Sequence, residues 1–247
     1  MNNIYLYDDS FDSLLTLIMT LVYYKNNPKD IKSNKDFTPN LIDIPVYLEL
    51  DKDKLKLLKS KVSNKIISIA YYVYLSNDKN KELIIYYFLK NALIYKDKVI
   101  YHRNLNCVNK ALNLSSKVSR EAHKLKGFLR FKEMQNNFFY AEISPDNNVI
   151  GILANHFRKR LSCEYWIIKD IGRNIYAFYD LNNITFLQEE DIIKLNLDLK
   201  NEEIEYEDLW KTFFNTIGIK SRYNPKTQMN FMPKKYWDYI IEMEDKK

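Results

Sequence analysis

The side chains of this 247-residue chain best suited to proton transfer are His123, His156 and Asp180. An imidazole titrates near neutral pH and can act as acid or base. His123 lies two residues from Glu121, a spacing that sends the pair to different faces of a helix, so they are no ready dyad. His156 can reach Glu142, Asp170 or Asp180 only through tertiary folding, and a lone histidine is more often structural. Metal chemistry has little support. There is no C-x-x-C, no H-x-x-x-H and no calcium-type loop. Cys107 and Cys163 are too few for an iron–sulfur cluster. The four glycines, Gly127, Gly151, Gly172 and Gly218, cannot build a phosphate-cradling loop. No cofactor is expected within this chain.

The second candidate chemistry is anion binding. On a helical wheel Leu114, Val118, Ala122 and Leu125 share one face, and Lys117, Arg120 and Lys124 cluster away from it. If a strand begins at Gly127, then Lys126, Arg130 and Lys132 share one parity, with Phe128 among them. Gly127 would permit close backbone approach at the junction. Helix and strand together would form a basic cradle for a phosphate backbone, although a solvated helix beside a half-buried strand fits the same pattern. A second helix repeats the arrangement. Its apolar residues Val149, Ile150, Leu153, Ala154, Phe157 and Leu161 oppose Asn155, Arg158 and Lys159, while basic residues in a last turn also suit the helix dipole. Arg173 follows in a turn. Near the end, Arg222, Asn224, Lys226 and Gln228 interleave with Tyr223, Phe231, Tyr236 and Trp237. Such aromatics can stack on unpaired bases while amides read base edges, or they can plug a core.

The charge distribution favours an anionic partner. The net charge is +6, with 31 Lys and 7 Arg. Residues 1–100 carry 15 basic and 12 acidic side chains, residues 101–180 carry 13 and 7, and residues 181–247 carry 10 and 13. A basic field confined to one stretch points to nucleic acid before other polyanions. Every arginine lies past residue 100, and the guanidinium fork suits phosphate. With 46% apolar and 28% charged residues the composition is that of a globular protein. Two cysteines fit a reducing compartment. The apolar run from Leu14 to Tyr24 is too short to span a bilayer and lacks the features of a signal peptide. The expected location is the cytoplasm, with no membrane partner.

These groups need elements to position them. Ile4–Tyr7 reads as a strand, and Asp9 or Ser10 can cap a helix over Phe11–Tyr24. A loop containing Pro28 and Pro39 follows, then a short strand over Pro45–Leu50. One helix is expected from Asp51 or Asp53 to Leu75, another over Lys79–Tyr95, and a third over Leu105–Leu125. Paired strands are expected at Gly127–Lys132 and Phe138–Ile143 across the turn 135–137. A helix over Val149–Leu161 precedes a meander of Glu164–Asp170, Asn174–Tyr179 and Ile184–Leu187, whose second turn relies on Asn182 and Asn183 to tolerate positive φ. A helix over Tyr206–Ile217, an irregular stretch with Pro225 and a last helix from Pro233 to Met243 complete the chain. The expected fold is α+β: a mainly helical region over residues 1–100, then a small antiparallel sheet packed with helices over residues 101–247, able to fold as one unit.

Several segments carry a family resemblance. They read YDDSFDSLL at 7–15, REAHKLKGFLRF at 120–131, FYAEISPD at 139–146, ILANHF at 152–157 and YWIIKDIGR at 165–173. YD at 179–180 and LWKTFFNTIGIKSRYNPKTQMNFMPKKYW at 209–237 complete the set. Together they resemble the DUF4130 family of probable DNA metabolism proteins. The resemblance implies a companion role beside a radical-SAM protein assigned to DNA modification or repair, in which case any cluster belongs to the partner. It carries no catalytic residues with it. Three readings follow: a DNA-binding accessory protein, an enzyme acting on DNA or a modified base through His123, His156 and Asp180, and a scaffold for the radical-SAM partner that touches no DNA. The first is the expectation taken forward.

Overall fold

The computed structural model describes residues 3–39, 43–134, 138–189, 209–213, 216, 224–240 and 243. The chain divides into two compact units, Met1–Arg120 and Glu121–Lys247. The division falls inside a helix, twenty residues beyond the boundary expected near residue 100.

The first unit is more than a helical region. Strand β1 (Asn3–Tyr7) lies between β2 (Asp30–Ser33) and β3 (Ile44–Tyr47), and both neighbours run parallel to it. Its residues Ile4 to Tyr7 are all buried, the continuous apolar run of a central parallel strand. β2 occupies the polar stretch expected to be loop. Sequence period could not find it, because its short DIKS run has a single apolar residue, Ile31. Helix α1 (Phe11–Tyr23) starts where Ser10 Oγ accepts from Ser13 N at 3.1 Å, and it buries Leu14, Leu15, Leu17, Ile18 and Leu21. The long helix expected after Asp51 is two: α2 (Lys52–Lys61) and α3 (Asn64–Tyr74), separated by Val62 and Ser63 in extended conformation. Helix α4 (Lys81–Tyr95) and a 3₁₀ turn at Lys96–Tyr101 follow. The core of this unit joins α1, α3 and α4 through Leu14, Ile18, Ile66, Ala70, Ile85, Phe88 and Leu89.

Helix α5 (Asn106–Phe128) runs through the division and contains Gly127. The strand expected at Gly127–Lys132 therefore does not exist as such; β4 is only Lys132–Glu133. Buried Leu125 and Leu129, with Phe128 packed at 5.6 Å against Tyr236, extend the helix past its glycine. Tertiary burial outweighs the roughly 1 kcal/mol that glycine costs a helix. A Cβ at Gly127 would meet nothing within 4 Å, so the glycine serves no close approach.

The second unit is built on a five-stranded sheet in the order β4-β5-β6-β7-β8, with β5 Phe139–Ile143, β6 Trp166–Asp170, β7 Ile175–Tyr179 and β8 Ile184–Gln188. The meander β6-β7-β8 is antiparallel as expected, but β5 and β6 are parallel, so the sheet is mixed. The cause is helix α6 (Ile150–Arg160), which carries the chain back before β6 begins. Leu153, Ala154 and Phe157 of α6 are buried, and Gly151 lies beside the Phe186 ring of β8. In the β7–β8 turn the positive φ falls on Leu181 (73°), not on an asparagine. Asp180 accepts from the N–H groups of Asn182 (2.9 Å) and Asn183 (2.6 Å), and the Tyr179 hydroxyl donates to the Leu181 carbonyl at 2.7 Å. These bonds hold leucine in a conformation that costs about 1–2 kcal/mol.

Pro225 opens a helix, α7 (Pro225–Phe231), where an irregular stretch was expected. Lys234–Tyr239 form a 3₁₀ turn in place of the expected last helix. Of the expected helix at 206–217, residues 209–213 and 216 are helical and the rest lie outside the described residues, as do the 135–137 turn and most of the acidic 188–208 stretch. Among the described residues no helix is long and apolar enough to cross a membrane.

Candidate nucleic-acid interface

The structure sorts the expected basic residues into those already engaged within the chain and those left without an ion pair. Arg173 is engaged. Its Nη1 donates to Asp170 Oδ2 at 3.0 Å and to the Pro145 carbonyl at 3.1 Å, and its Nη2 donates to the Asp146 carbonyl at 2.7 Å. Asp170 is fully buried, and burial pushes its carboxyl up while the guanidinium pulls against that shift. Arg130 is also engaged, at the exposed end of α5. Its Nη1 donates to the Gly127 carbonyl at 2.8 Å, satisfying one of the last carbonyls of α5. Lys132 sits half-buried on β4 opposite Tyr140. Lys126, Arg130 and Lys132 therefore share no strand face.

A different basic group is brought together in the second unit. Lys126 in the last turn of α5 and Arg160 in the last turn of α6 both act on His156. Burial depresses the imidazole pKa, and the charges of Lys126 and Arg160 depress it further. Arg158, Lys159 and Arg160 are exposed at the end of α6. Among the described residues Lys124, Lys126, Arg158, Lys159 and Arg160 form no ion pair. Lys117 and Arg120, both exposed, precede Lys124 on α5 at helical spacing, with Arg120 Nε donating to the Ser116 carbonyl at 3.3 Å.

The acid–base candidates are not assembled. His123 is exposed, while Glu121 faces inward from the same helix. The His156 ring lies edge-on to Phe157 at 5.0 Å and has no carboxylate partner among the described residues. Asp180 spends its carboxylate on the β7–β8 turn, and those N–H donors hold its pKa below the usual aspartate range. Among the described residues no group of three or more His, Cys, Asp or Glu could hold a metal ion. Asn224 is the N-cap of α7, accepting from Thr227 N at 3.1 Å, and Gln228 Nε2 approaches Met243 Sδ at 3.5 Å. Arg222 and Tyr223 lie outside the described residues. Tyr236 and Trp237 are buried, whereas Phe231 is 75% exposed.

Sequence reasoning missed the polar centre of this unit. Glu121 is buried and accepts five hydrogen bonds: from Asp146 N (2.8 Å), Asn147 N (3.0 Å), Asn147 Nδ2 (2.6 Å), Tyr236 Oη (3.1 Å) and Lys235 Nζ (3.2 Å). Lys235 also reaches Asp146 Oδ2 at 2.5 Å. Burial alone would push the Glu121 carboxyl up, but the donors hold it below the ordinary glutamate value. Arg173 and Glu121 together clamp the 145–147 loop that leads into α6. No spacing rule joins these residues, which are up to 115 positions apart.

The centre is supplied by segments that carry the resemblance: 120–131, 139–146, 165–173 and 209–237. A comparison with protein families supports the same conclusion, since the DUF4130 model, a domain of unknown function, matches residues 79–242. The chain belongs to the DUF4130 family. The match covers about two thirds of the chain and begins just before α4, so the YDDSFDSLL segment lies outside it. No curated protein matches the chain.

Proposed function

We propose that this DUF4130 protein is a DNA-metabolism accessory protein that binds nucleic acid through the basic group at the ends of α5 and α6. The observation that carries the reading is the set of cations at the ends of α5 and α6 that form no ion pair among the described residues, Lys124, Lys126, Arg158, Lys159 and Arg160, of which Lys126 and Arg160 act on His156. Cations without internal partners can neutralise phosphates, releasing counterions as they do so. Arg173 supports this role indirectly, by fixing the loop from which α6 starts. The family resemblance supports a radical-SAM partner that would hold the reactive cluster.

The test is a salt-resolved titration of the full chain against duplex and single-stranded DNA oligonucleotides. Binding should weaken steeply with salt. The triple variant Lys126→Ala, Arg158→Ala, Arg160→Ala should lose about tenfold or more in affinity and flatten the log–log salt slope by about 0.7–0.9 per lost contact. Absence of binding at low salt, or an unchanged slope, overturns the reading. Nuclease-insensitive co-purification with the radical-SAM protein, without any DNA shift, would favour the scaffold role instead.

A further inference from the structure

The charge of the first unit is not shared evenly along its sequence. Residues 1–82 carry 12 basic and 11 acidic side chains, whereas residues 83–120 carry 7 and 1. The early cations meet carboxylates. Lys29 pairs with Asp43 at 2.9 Å, Lys35 with Asp9 at 3.2 Å and Lys59 with Asp12 at 2.9 Å. Lys32, Lys79 and Lys81 line a cavity of about 370 Å³ together with Asp36, Asp78 and Glu82. The later cations have no such company. The one carboxylate of that stretch, Asp97, accepts from the Ser63 hydroxyl. Among the described residues Lys98, Arg103, Lys110 and Lys117 are all exposed and form no ion pair.

At the turn between α4 and α5 two of these cations flank aromatic rings in the chain. Lys96 ends α4 with φ at 53°, in the left-handed region, and the chain turns there into the 3₁₀ segment Lys96–Tyr101. Buried Val99 anchors that segment, and its carbonyl accepts from His102 N at 3.0 Å. The His102 ring is thereby laid against the Tyr95 ring, with centroids 4.2 Å apart and planes 30° apart. Tyr95 remains 40% exposed and Tyr101 is 79% exposed. Lys98 precedes these rings and Arg103 follows them, both exposed. A tyrosine ring gains by being covered, so rings held out in water offer their faces to a partner. The charge selects a polyanion, and the rings select one with planar groups. A duplex keeps its bases stacked inside, whereas a single strand presents base faces and phosphates together.

We propose that the turn between α4 and α5 binds single-stranded nucleic acid, stacking unpaired bases on Tyr101 and the Tyr95–His102 pair while Lys98 and Arg103 hold the flanking phosphates. This surface shares no residue with the basic group at the ends of α5 and α6, and its ring variants change none of those cations, so the two proposals fail separately. The test is fluorescence anisotropy of the full chain carrying Lys126→Ala, Arg158→Ala and Arg160→Ala, which disable the other group. The probes are a labelled oligothymidine of about 15 nucleotides, an abasic strand of equal length and a duplex of that length. The oligothymidine should bind about tenfold more tightly than the abasic strand, which has the same phosphates and no bases, and more tightly than the duplex. Tyr101→Ala with His102→Ala should abolish the advantage over the abasic strand and leave the salt slope unchanged. Tyr101→Ala alone, at a largely exposed position, should remove most of that advantage without disturbing the fold. Lys98→Ala with Arg103→Ala should weaken both strands and flatten the salt slope. No single-strand binding at low salt, equal affinity for the oligothymidine and the abasic strand, preference for the duplex, or an advantage that survives the ring variants would each overturn the proposal.

Discussion

Glu82 in the first unit and Glu121 in the second are both buried glutamates on helices, and their surroundings are opposite in kind. Glu121 receives five donors, including an ammonium, and its pKa is held down. Among the described residues Glu82 receives the Tyr7 hydroxyl and its own backbone N–H but no cation, and desolvation raises its pKa. Burial is therefore no guide to role by itself. The number of donors decides whether a buried carboxylate is a rivet or an open acceptor. Glu121 fastens a loop, a terminal turn and a helix together, and Glu82 stands in a cavity wall.

That contrast can be broken by mutation. Glu121→Ala should cost the second unit about 3 kcal/mol, since it strands Lys235, Tyr236 and two backbone N–H groups. All three tryptophans, Trp166, Trp210 and Trp237, lie past residue 121, so urea denaturation followed by tryptophan fluorescence reads this unit selectively. A loss below about 1 kcal/mol would remove Glu121 from its central place. The pH dependence sharpens the comparison. A folded pKa below the unfolded one gives stability that is full above the unfolded value and lost as pH falls through the folded value. Glu121 should therefore weaken the second unit on acidification, and Glu121→Gln should blunt that loss. Glu82 has the opposite sign. Its ionisation costs stability as pH rises past the unfolded value, so Glu82→Gln at neutral pH should change stability by less than about 1 kcal/mol, read by tyrosine near-UV dichroism. The smallest expected effect is at Gly127. Gly127→Ala fills open space within α5 and should stabilise the helix end by about 0.5 kcal/mol in the same fluorescence assay.

Much of the local structure was legible. Ser10 as a cap, the buried face of α5 through Val118, Ala122 and Leu125, the apolar side of α6 and the β6-β7-β8 meander all follow from period and turn chemistry. The errors share a cause. β2 was invisible because its identity comes from pairing with β1. Gly127 and Pro225 were read as breakers, whereas packing carried α5 through one and the Asn224 cap made the other a helix start. Arg173 was read as a phosphate ligand, but Asp170 lies three residues before it across the β6–β7 turn, close enough to pair with it. For the unit division the charge arithmetic also shifts. Residues 1–120 carry 19 basic and 12 acidic side chains, and residues 121–247 carry 19 and 20, so the second unit offers a local basic patch, not a net positive body.

The amino-acid sequence by itself determined the family, most of the helices, the meander and a supply of cations in the middle of the chain. These depend on neighbours a few residues apart, whose spacing the sequence displays directly. Only the tertiary structure decided which of the described cations form no ion pair, that Glu121 gathers donors from two distant segments, and that a cavity opens beside Glu82. Those outcomes turn on whether a charge meets a partner far along the chain. Coulomb attraction and desolvation act through distance in space, and separation along the sequence does not report that distance.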